Sequence, residues 1–565
     1  MAGQSRRWMI LLATVWIQAF TGTNFDFSSY SSELKAAMGI SQVQLNYLAV
    51  ASDLGKAFGW SSGLALLYLP LPAVLFLAAA LGFVAYGVQW LLITSRIALP
   101  YAPVFMLCLL AGLSICWFNT VCFVLCIRNF STNRCLALSL TVSFNGVSAA
   151  LYTLVAKAIN GSPSSYLLLN AVLPVLTSLT ALIPILRQPP LSSSSRRRDT
   201  HIFLLLNSIA FLTGLYLLLL NPAAPNPATS RLLLAGALIL LALPLAIPGI
   251  VVAREWALRT IYSSQLEDSE EYHDILKELI PGDGELENQF LENNPDINER
   301  GSLCCCNALI AKDRLVLLGE EHGARSLIRR LDFWIYYISY LCGGTLGLVY
   351  SNNLGQIAQS LGWQSHTSML VNVYSSCSFF GRLISAAPDM LLGGRVSFAR
   401  TGWLAAALVP MPLAFFLLAA DAEAENGHVL FAGTALVGLS SGFVFAGAVS
   451  VTSELFGPAS FGVNHNIVIT NIPFGSQLYG LLAALVYDAN GRVLGSWHVR
   501  EAVAAMVVCM GRRCYSKTFF AWGVISMIGL AFAVLLYLRT RPAYNHAAGC
   551  GTPRRRLRSD CEDFR

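Results

Sequence analysis

The chain has 565 residues and a formal net charge of +6; 55% of its residues are hydrophobic and only 12% are charged. Soluble globular proteins carry about 25% charged residues, so this composition, with a mean hydropathy of +0.59, excludes an ordinary soluble domain and indicates a membrane protein. The positive charge follows the predicted membrane topology and gives no reason to expect a nucleic-acid partner.

Hydrophobic runs of roughly 18 or more residues are long enough to cross a bilayer as helices. The first half of the chain contains such runs at 8–29, 44–68, 72–95, 101–127, 135–158, 164–186, 201–220 and 231–253. After a hydrophilic gap they recur at 332–351, 366–387, 399–420, 428–452, 462–487 and 518–538. We therefore predict an all-α, multi-pass membrane protein with about 14 spans.

The chain is predicted to divide into five segments. Residues 1–200 form an N-terminal six-helix half, and 201–253 add two further transmembrane helices. Residues 254–331 form an acidic cytosolic connector, 332–540 a C-terminal six-helix half, and 541–565 a basic cytosolic tail. Lys and Arg residues are concentrated in the loops that this topology places inside, which predicts that both termini are cytosolic. Plasma membrane and internal membranes both fit.

The two six-helix halves repeat each other in sequence. The Gly-Leu-Ser sequence at 112–114 reappears at 438–440, and the polar, glycine-rich part of the first run at 21–23 reappears at 343–345. Chance similarity between apolar strings is the alternative, but several spans repeat at nearly the same offset. Duplicated membrane halves are typical of secondary transporters, which bind their solute between the halves.

Several short segments carry a resemblance to a known family. They are 21–25 (TGTNF), 53–60 (DLGKAFGW), 138–146 (LSLTVSFNG), 351–356 (SNNLGQ) and 380–382 (FGR). With these segments the chain resembles the plant nodulin-like family of the major facilitator superfamily. The resemblance implies the major facilitator fold and transport by alternating access, and it implies no particular substrate.

Ionisable groups inside membrane spans are costly to bury, so they are candidates for function. Asp26 belongs to a polar stripe on the first helix; it either binds a proton or a cationic group in a cavity, or is a wetted residue at the helix end. Asp53 and Lys56 are three residues apart, so their side chains can meet. They form either a structural ion pair or a pair in which protonation of Asp53 releases Lys56 to bind an anion.

Uncharged polar residues in the spans complete the predicted pathway for substrate or protons. Such groups either line a water-filled cavity or bridge helices by hydrogen bonds. The candidates are Asn24, Asn145, Asn352, Asn353, Gln356 and His465.

Charged residues at the cytosolic ends of spans are candidates for gates between the halves. Arg128 and Glu454 occupy matching positions in the two halves, so they either pair across the halves or simply face the cytosol. Arg382 and Asp389 belong to the second-half segment in which the superfamily carries a charged latch.

Cys509 and Cys514 lie in a long loop on the predicted outer side, where a disulfide is one option and free thiols the other. The sequence shows no nucleophile–base arrangement, no phosphate-binding glycine loop and no metal-ligand spacing. We therefore predict no enzyme activity, no cofactor and no metal site.

The sequence thus predicts a secondary transporter of a small polar or anionic solute, with coupling to protons as an option. The expected partners are the lipid bilayer and the solute, and we expect a monomer. The alternative is a transport-inactive, major-facilitator-like scaffold that acts in membrane or organelle remodelling.

Overall fold

The structure is a computed structural model. It describes residues 2–40, 42–131, 133–159, 161–162, 164–186, 196–220, 226–251, 315, 317–387, 399–420, 427–493 and 507–550. Most of the predicted acidic connector and the tail beyond residue 550 lie outside this described part.

The first half consists of helices that run in the order of the predicted spans. They are α1 (Ala2–Ala19), α2 (Phe27–Met38), α3 (Gln42–Ala57), α4 (Trp60–Tyr68), α5 (Leu71–Ile93), α6 (Tyr101–Asn129), α7 (Arg134–Asn145), α8 (Ser148–Ala158) and α9 (Ser164–Leu186). Two additional helices follow, α10 (Arg196–Leu220) and α11 (Pro227–Ala242).

The second half repeats this order. It contains α12 (Ala324–Arg329), α13 (Leu331–Tyr340), α14 (Leu346–Ser360), α15 (Thr367–Ile384), α16 (Arg400–Leu408), α17 (Pro410–Ala420), α18 (His428–Phe456), α19 (Phe461–Ile469), α20 (Asn471–Asn490) and α21 (Ser516–Cys550). A short antiparallel pair of strands, β1 (Arg492–Val493) and β2 (Val507–Val508), precedes α21.

Ten helical stretches of the described residues are long and apolar enough to cross a membrane. The predicted all-helical, multi-pass architecture is therefore confirmed. The runs at 8–29, 44–68, 332–351 and 366–387 are helical too, but they are interrupted or richer in polar residues and are not among the ten. The count of fourteen spans stays a prediction.

The glycine-rich parts of the two halves interrupt their helices at matching places. In the first half, α1 ends at Ala19 and a 3-10 helix follows at Thr23–Asp26. In the second half, a π-helical turn at Leu341–Thr345 joins α13 to α14. A Cβ atom on Gly22 would lie 2.6 Å from the Asn145 carbonyl oxygen, so the close approach of this segment to α7 requires glycine.

Glycines also set the main helix crossing in each half. A Cβ atom on Gly55 of α3 would overlap the Leu109 carbonyl of α6, and a Cβ atom on Gly381 of α15 would overlap the Leu439 carbonyl of α18. Without side chains at these positions, the helix backbones come into direct contact. The repeat seen in the sequence is thus also a repeat in packing.

The additional helix α10 contacts both halves. Its Asp199 accepts a 2.8 Å salt bridge from Arg7 of α1, and its Phe211 packs at 5.3 Å from Phe380 of α15. Helix α10 therefore lies along one seam between the halves.

Candidate functional site

A cavity of about 100 Å³ lies between the two halves. Both halves contribute to its wall, as in a site that opens by movement of one half against the other. Its polar lining residues are Gln18, Lys56, Cys116, Asn119, Thr120, Asn145, Tyr340, Arg382, His465 and Asn466. We call it the central cavity.

Arg382 is the most unusual residue of the central cavity. It lies on α15 with only 3% of its surface exposed. Its Nη1 atom donates to the Val142 carbonyl and to Asn145 Oδ1, both at 3.3 Å. The guanidinium carbon lies 5.6 Å from the centre of the Phe25 ring and 5.4 Å from that of Phe445. These contacts hold the guanidinium between the two halves.

The remaining donors of Arg382 are not used by the described part of the protein. Its Nε atom is buried without a hydrogen-bond partner, and the ion pairs between described side chains do not include it. An arginine presents five N–H donors and stays charged. A buried cation without an acidic partner is costly, so this position is suited to an anion that arrives as a ligand.

Lys56 is the second cation of the central cavity, and it is paired. Its Nζ atom donates to Asp53 Oδ1 at 2.6 Å, as the three-residue spacing on α3 indicated. The other carboxylate oxygen of Asp53 accepts a 2.6 Å hydrogen bond from Ser476 of α20. Asp53 therefore connects a cavity cation in the first half to a helix of the second half.

A second, smaller cavity of about 30 Å³ lies next to this ion pair. Asp53 lines it, whereas Lys56 lines the central cavity. Its other polar lining residues are Tyr30, Ser52, Tyr86, Gln89, Cys108 and Asn352. Asn352 belongs to the second half, so this cavity also lies at the seam.

Uncharged side chains bind one another along the wall of the central cavity. Gln18 donates to Asn119 at 2.8 Å. Asn466 of the second half donates to Thr120 of the first half at 3.0 Å, and Thr120 also accepts from Ser62 at 2.7 Å. These bonds tie α19 to α4 and α6.

His465 is packed as an aromatic residue at the edge of the central cavity. Its ring stacks on Phe461 with centroids 5.1 Å apart and lies 5.9 Å from that of Phe123. Its Nδ1 atom is 3.4 Å from the Thr452 hydroxyl. A role in proton relay stays a prediction.

The other predicted pathway residues whose side chains are described do not line the central cavity. Asp26 is buried in the 3-10 helix after α1, and its Oδ2 atom has no hydrogen-bond partner among the described residues. Asn24 belongs to the same turn, but its side chain lies outside the described atoms. Asn353 donates to the Val349 carbonyl of its own helix at 2.9 Å. Gln356 accepts from Tyr515 at 3.2 Å.

The gate candidates differ from the predicted arrangement. Glu454 pairs with Arg400 of its own half at 3.0 Å and accepts from Tyr544 at 2.9 Å, whereas the Arg128 side chain is exposed. The Arg128–Glu454 pair is absent from this conformation, because matching positions in a repeat are equivalent without being adjacent. Arg382 lies in the cavity wall rather than in a loop, and Asp389 lies outside the described residues.

Of the two options for Cys509 and Cys514, the structure contains the disulfide, with Cα atoms 5.8 Å apart. Within the described ranges, no group of three or more His, Cys, Asp or Glu side chains is placed to hold a metal ion.

Sequence reasoning did not include Ser476, Asn119 or Thr120 among the predicted site residues. Asn119 and Thr120 could have been found, because they are adjacent polar residues inside the long apolar run of α6. Ser476 gave no such signal, since single serines are common in membrane helices.

The fold and the cavity define a multi-pass membrane protein made of two matching helical halves with a cationic site between them. Comparison with known proteins then gives the family. The nodulin-like family matches residues 7–249, and the C-terminal domain family of NFD4 matches residues 316–546. The chain is 55% identical to "Protein NUCLEAR FUSION DEFECTIVE 4" of Arabidopsis thaliana over 553 residues, which cover 96% of this chain and 90% of that protein. The chain therefore belongs to the nodulin-like family that includes this protein.

A fungal protein and two solved structures are less similar to the chain. A "Probable transporter MCH1" of Yarrowia lipolytica is 27% identical over 214 residues, which cover 35% of this chain and 40% of that protein. Among solved structures, the proton:xylose symporter XylE matches with a TM-score of 0.49 and 12% identity over 93% of this chain and 94% of that one. The nucleoside transporter NupG matches with a TM-score of 0.48 and 11% identity, over 94% and 99%.

Proposed function

We propose that the protein is a secondary transporter that carries a small anion through the central cavity by alternating access. The observation that carries this proposal is Arg382, a buried cation that faces the cavity and pairs with no described carboxylate. In this proposal both termini are cytosolic, and the membrane is the plasma membrane or an internal membrane.

The composition of the cavity wall favours an anion over a neutral or cationic solute. Arg382 and Lys56 both line the cavity, and the described lining residues include no Asp or Glu. A guanidinium binds carboxylate or phosphate oxygens through charge-assisted hydrogen bonds, and it does so more strongly in a dry site. The names of fungal relatives such as the "Probable transporter MCH1" support transport as the activity.

Alternating access requires contacts between the halves that can separate. Trp8 of α1 packs on Phe130, and Tyr544 of α21 binds Glu454. Cys135, which closely follows Phe130, donates to the same Glu454, so both chain ends lie at one end of the bundle. We call this end the termini end. There, Ser139 of α7 contacts Ser385 at 2.9 Å. Gly63 of α4 also packs against the Gly462 backbone of α19. In the proposed cycle these contacts break when the cavity opens toward that end.

Coupling to protons is part of the proposal. Asp26 and Asp53 are buried carboxylates of the first half, and a buried carboxylate that can take up a proton changes the charge available to an anion. Asp53 has the more direct connection, because its partner Lys56 lines the central cavity.

Uptake into proteoliposomes tests the proposed function. The probes are radiolabelled phosphate, sulfate, nitrate and short-chain carboxylates, with glucose and glycerol as neutral solutes, each with and without a pH gradient. We expect uptake of at least one anion, a loss of more than tenfold in Arg382→Gln, and partial retention in Arg382→Lys, which keeps the charge but not the fork of donors. Absence of anion uptake by the wild-type protein would contradict the proposal and favour the scaffold alternative.

A further inference from the structure

We infer that Asp53 is the residue through which protons are coupled to anion binding, and that the second cavity is where the proton reaches it. This inference rests on the proposed function. It is carried by the position of one ion pair between two cavities, with each partner lining a different one.

The two partners of the ion pair line different cavities, so a proton can reach Asp53 by one cavity while the anion binds in the other. Asp53 lines the second cavity and Lys56 lines the central cavity, and the two side chains are joined at 2.6 Å. A cavity of about 30 Å³ has room for about two water molecules, since one water needs about 10–15 Å³ by such a measure. A single water beside Asp53 can therefore deliver a proton without entering the central cavity.

Asp53 lines the second cavity, and the other buried carboxylate nearby is Asp26, which acts electrostatically on the cavity residues Tyr30 and Tyr86. Lys56, on the same helix as Asp53, is its charged partner, and Ser476 of α20 donates to its second oxygen. The titratable groups that share the second cavity with it are Tyr30 of α2, Tyr86 of α5 and Cys108 of α6. Within the described residues of this cavity wall, Asp53 is the carboxylate.

Protonation of Asp53 changes the charge of the central cavity. While Asp53 is ionised, it neutralises Lys56, and Arg382 is the remaining unpaired cation of the described wall. When a proton binds to a carboxylate oxygen of Asp53, the ion pair is lost and Lys56 becomes available to the cavity. The anion then meets two cations instead of one. Its departure lets Lys56 return to Asp53, which releases the proton, so one proton moves with each anion.

Protonation of Asp53 also changes the strength of a contact between the two halves. Ser476 donates a hydrogen bond to the Asp53 carboxylate across the seam, and hydrogen bonds to a charged acceptor are about twice as strong as neutral ones. Neutralising Asp53 therefore weakens a bond that joins α3 to α20. Proton binding thus changes both the affinity for the anion and the ease with which the halves separate.

The test measures protons and anions together in proteoliposomes. A trapped pH-sensitive dye reports proton uptake, and the probe is whichever of the four anion classes above the wild-type protein carries. We expect about one proton per anion for wild type. Asp53→Asn should exchange the labelled anion across the membrane without moving protons, so the ratio falls to near zero. Glu33→Gln, a partly exposed carboxylate that lines neither cavity, serves as the matched control and should keep the wild-type ratio.

Either of two results with Asp53→Asn would overturn the inference while leaving the proposed function intact. One is a wild-type proton-to-anion ratio in Asp53→Asn. The other is loss of anion exchange in Asp53→Asn when Cys116, which lines the central cavity, still reacts with a thiol reagent at the wild-type rate. Ser476→Ala keeps the Asp53 carboxylate and gives a second test. This variant should keep the wild-type proton-to-anion ratio but reach half-maximal anion uptake at a higher pH, because the ionised carboxylate has lost a hydrogen-bond donor. An unchanged pH profile would count against the inference. If the wild-type protein moves no anion, the proposed function itself has failed.

Discussion

Glu454 binds Arg400 through both of its carboxylate oxygens, each 3.0 Å from the arginine Nε atom. Both residues belong to the second half, but the same carboxylate accepts a 3.3 Å hydrogen bond from the Cys135 thiol of the first half. The ion pair with Arg400 therefore holds the Glu454 carboxylate in position to contact the first half at the termini end.

The first prediction concerns this seam. Glu454→Gln removes the charge that holds Arg400 and weakens the bond to Cys135, so the two halves should separate more often at the termini end. We expect the Cys135 thiol, which is 8% exposed, to react severalfold faster with a methanethiosulfonate reagent, as mapped by mass spectrometry. Cys122, fully buried in the first half, is the internal control. Equal rates for Cys135 in both proteins would show that Glu454 does not hold this seam.

The second prediction concerns the fully buried ion pair between Asp332 of α13 and Arg539 of α21. Removing one partner leaves an uncompensated charge, which costs about 3–5 kcal/mol in buried pairs. Arg539→Leu should therefore lower the unfolding temperature in detergent strongly. The double variant Arg539→Leu with Asp332→Leu should recover much of the loss, because it leaves no buried charge. A double variant less stable than the single variant would contradict this account.

The third prediction concerns the glycine at the main helix crossing of each half. Gly55→Ala and Gly381→Ala each place a methyl group against a carbonyl of the facing helix, and overpacking of this kind costs about 1–3 kcal/mol. Both variants should lose thermal stability by similar amounts. Gly87→Ala on α5 is the control, since a Cβ atom there meets no atom of a neighbouring helix within 4 Å, and it should keep full stability. Full stability of either Gly55→Ala or Gly381→Ala would contradict the close backbone contact at that crossing.

Much of the fold could be predicted from the sequence because membrane spans are local features. Hydrophobic length defined the helices, and the glycine-rich segments near Gly22 and Gly343 marked where they are interrupted. The Asp53–Lys56 contact followed from a spacing of three residues on one helix. Each of these features depends on neighbours along the chain.

The rest of the site depends on residues brought together by the packing of the halves. The Val142 carbonyl that binds Arg382 comes from a residue 240 positions earlier in the chain, so the sequence alone suggested a loop residue at a gate. Glu454 has a matching position at Arg128, but its partner is Arg400, because packing within the second half decides which cation is adjacent. Internal symmetry identified equivalent positions and could not identify contacts.

The central claim is that the cavity between the halves binds an anion at Arg382. It is tested most directly by thermal unfolding of the purified protein in detergent with small carboxylates, and with the neutral amides of the same acids. A ligand that binds only the folded state raises its stability according to its concentration and affinity. We predict that at least one carboxylate stabilises the wild-type protein, that its amide does not, and that Arg382→Gln abolishes the difference. Equal stabilisation of the wild-type and Arg382→Gln proteins by that carboxylate would contradict the account.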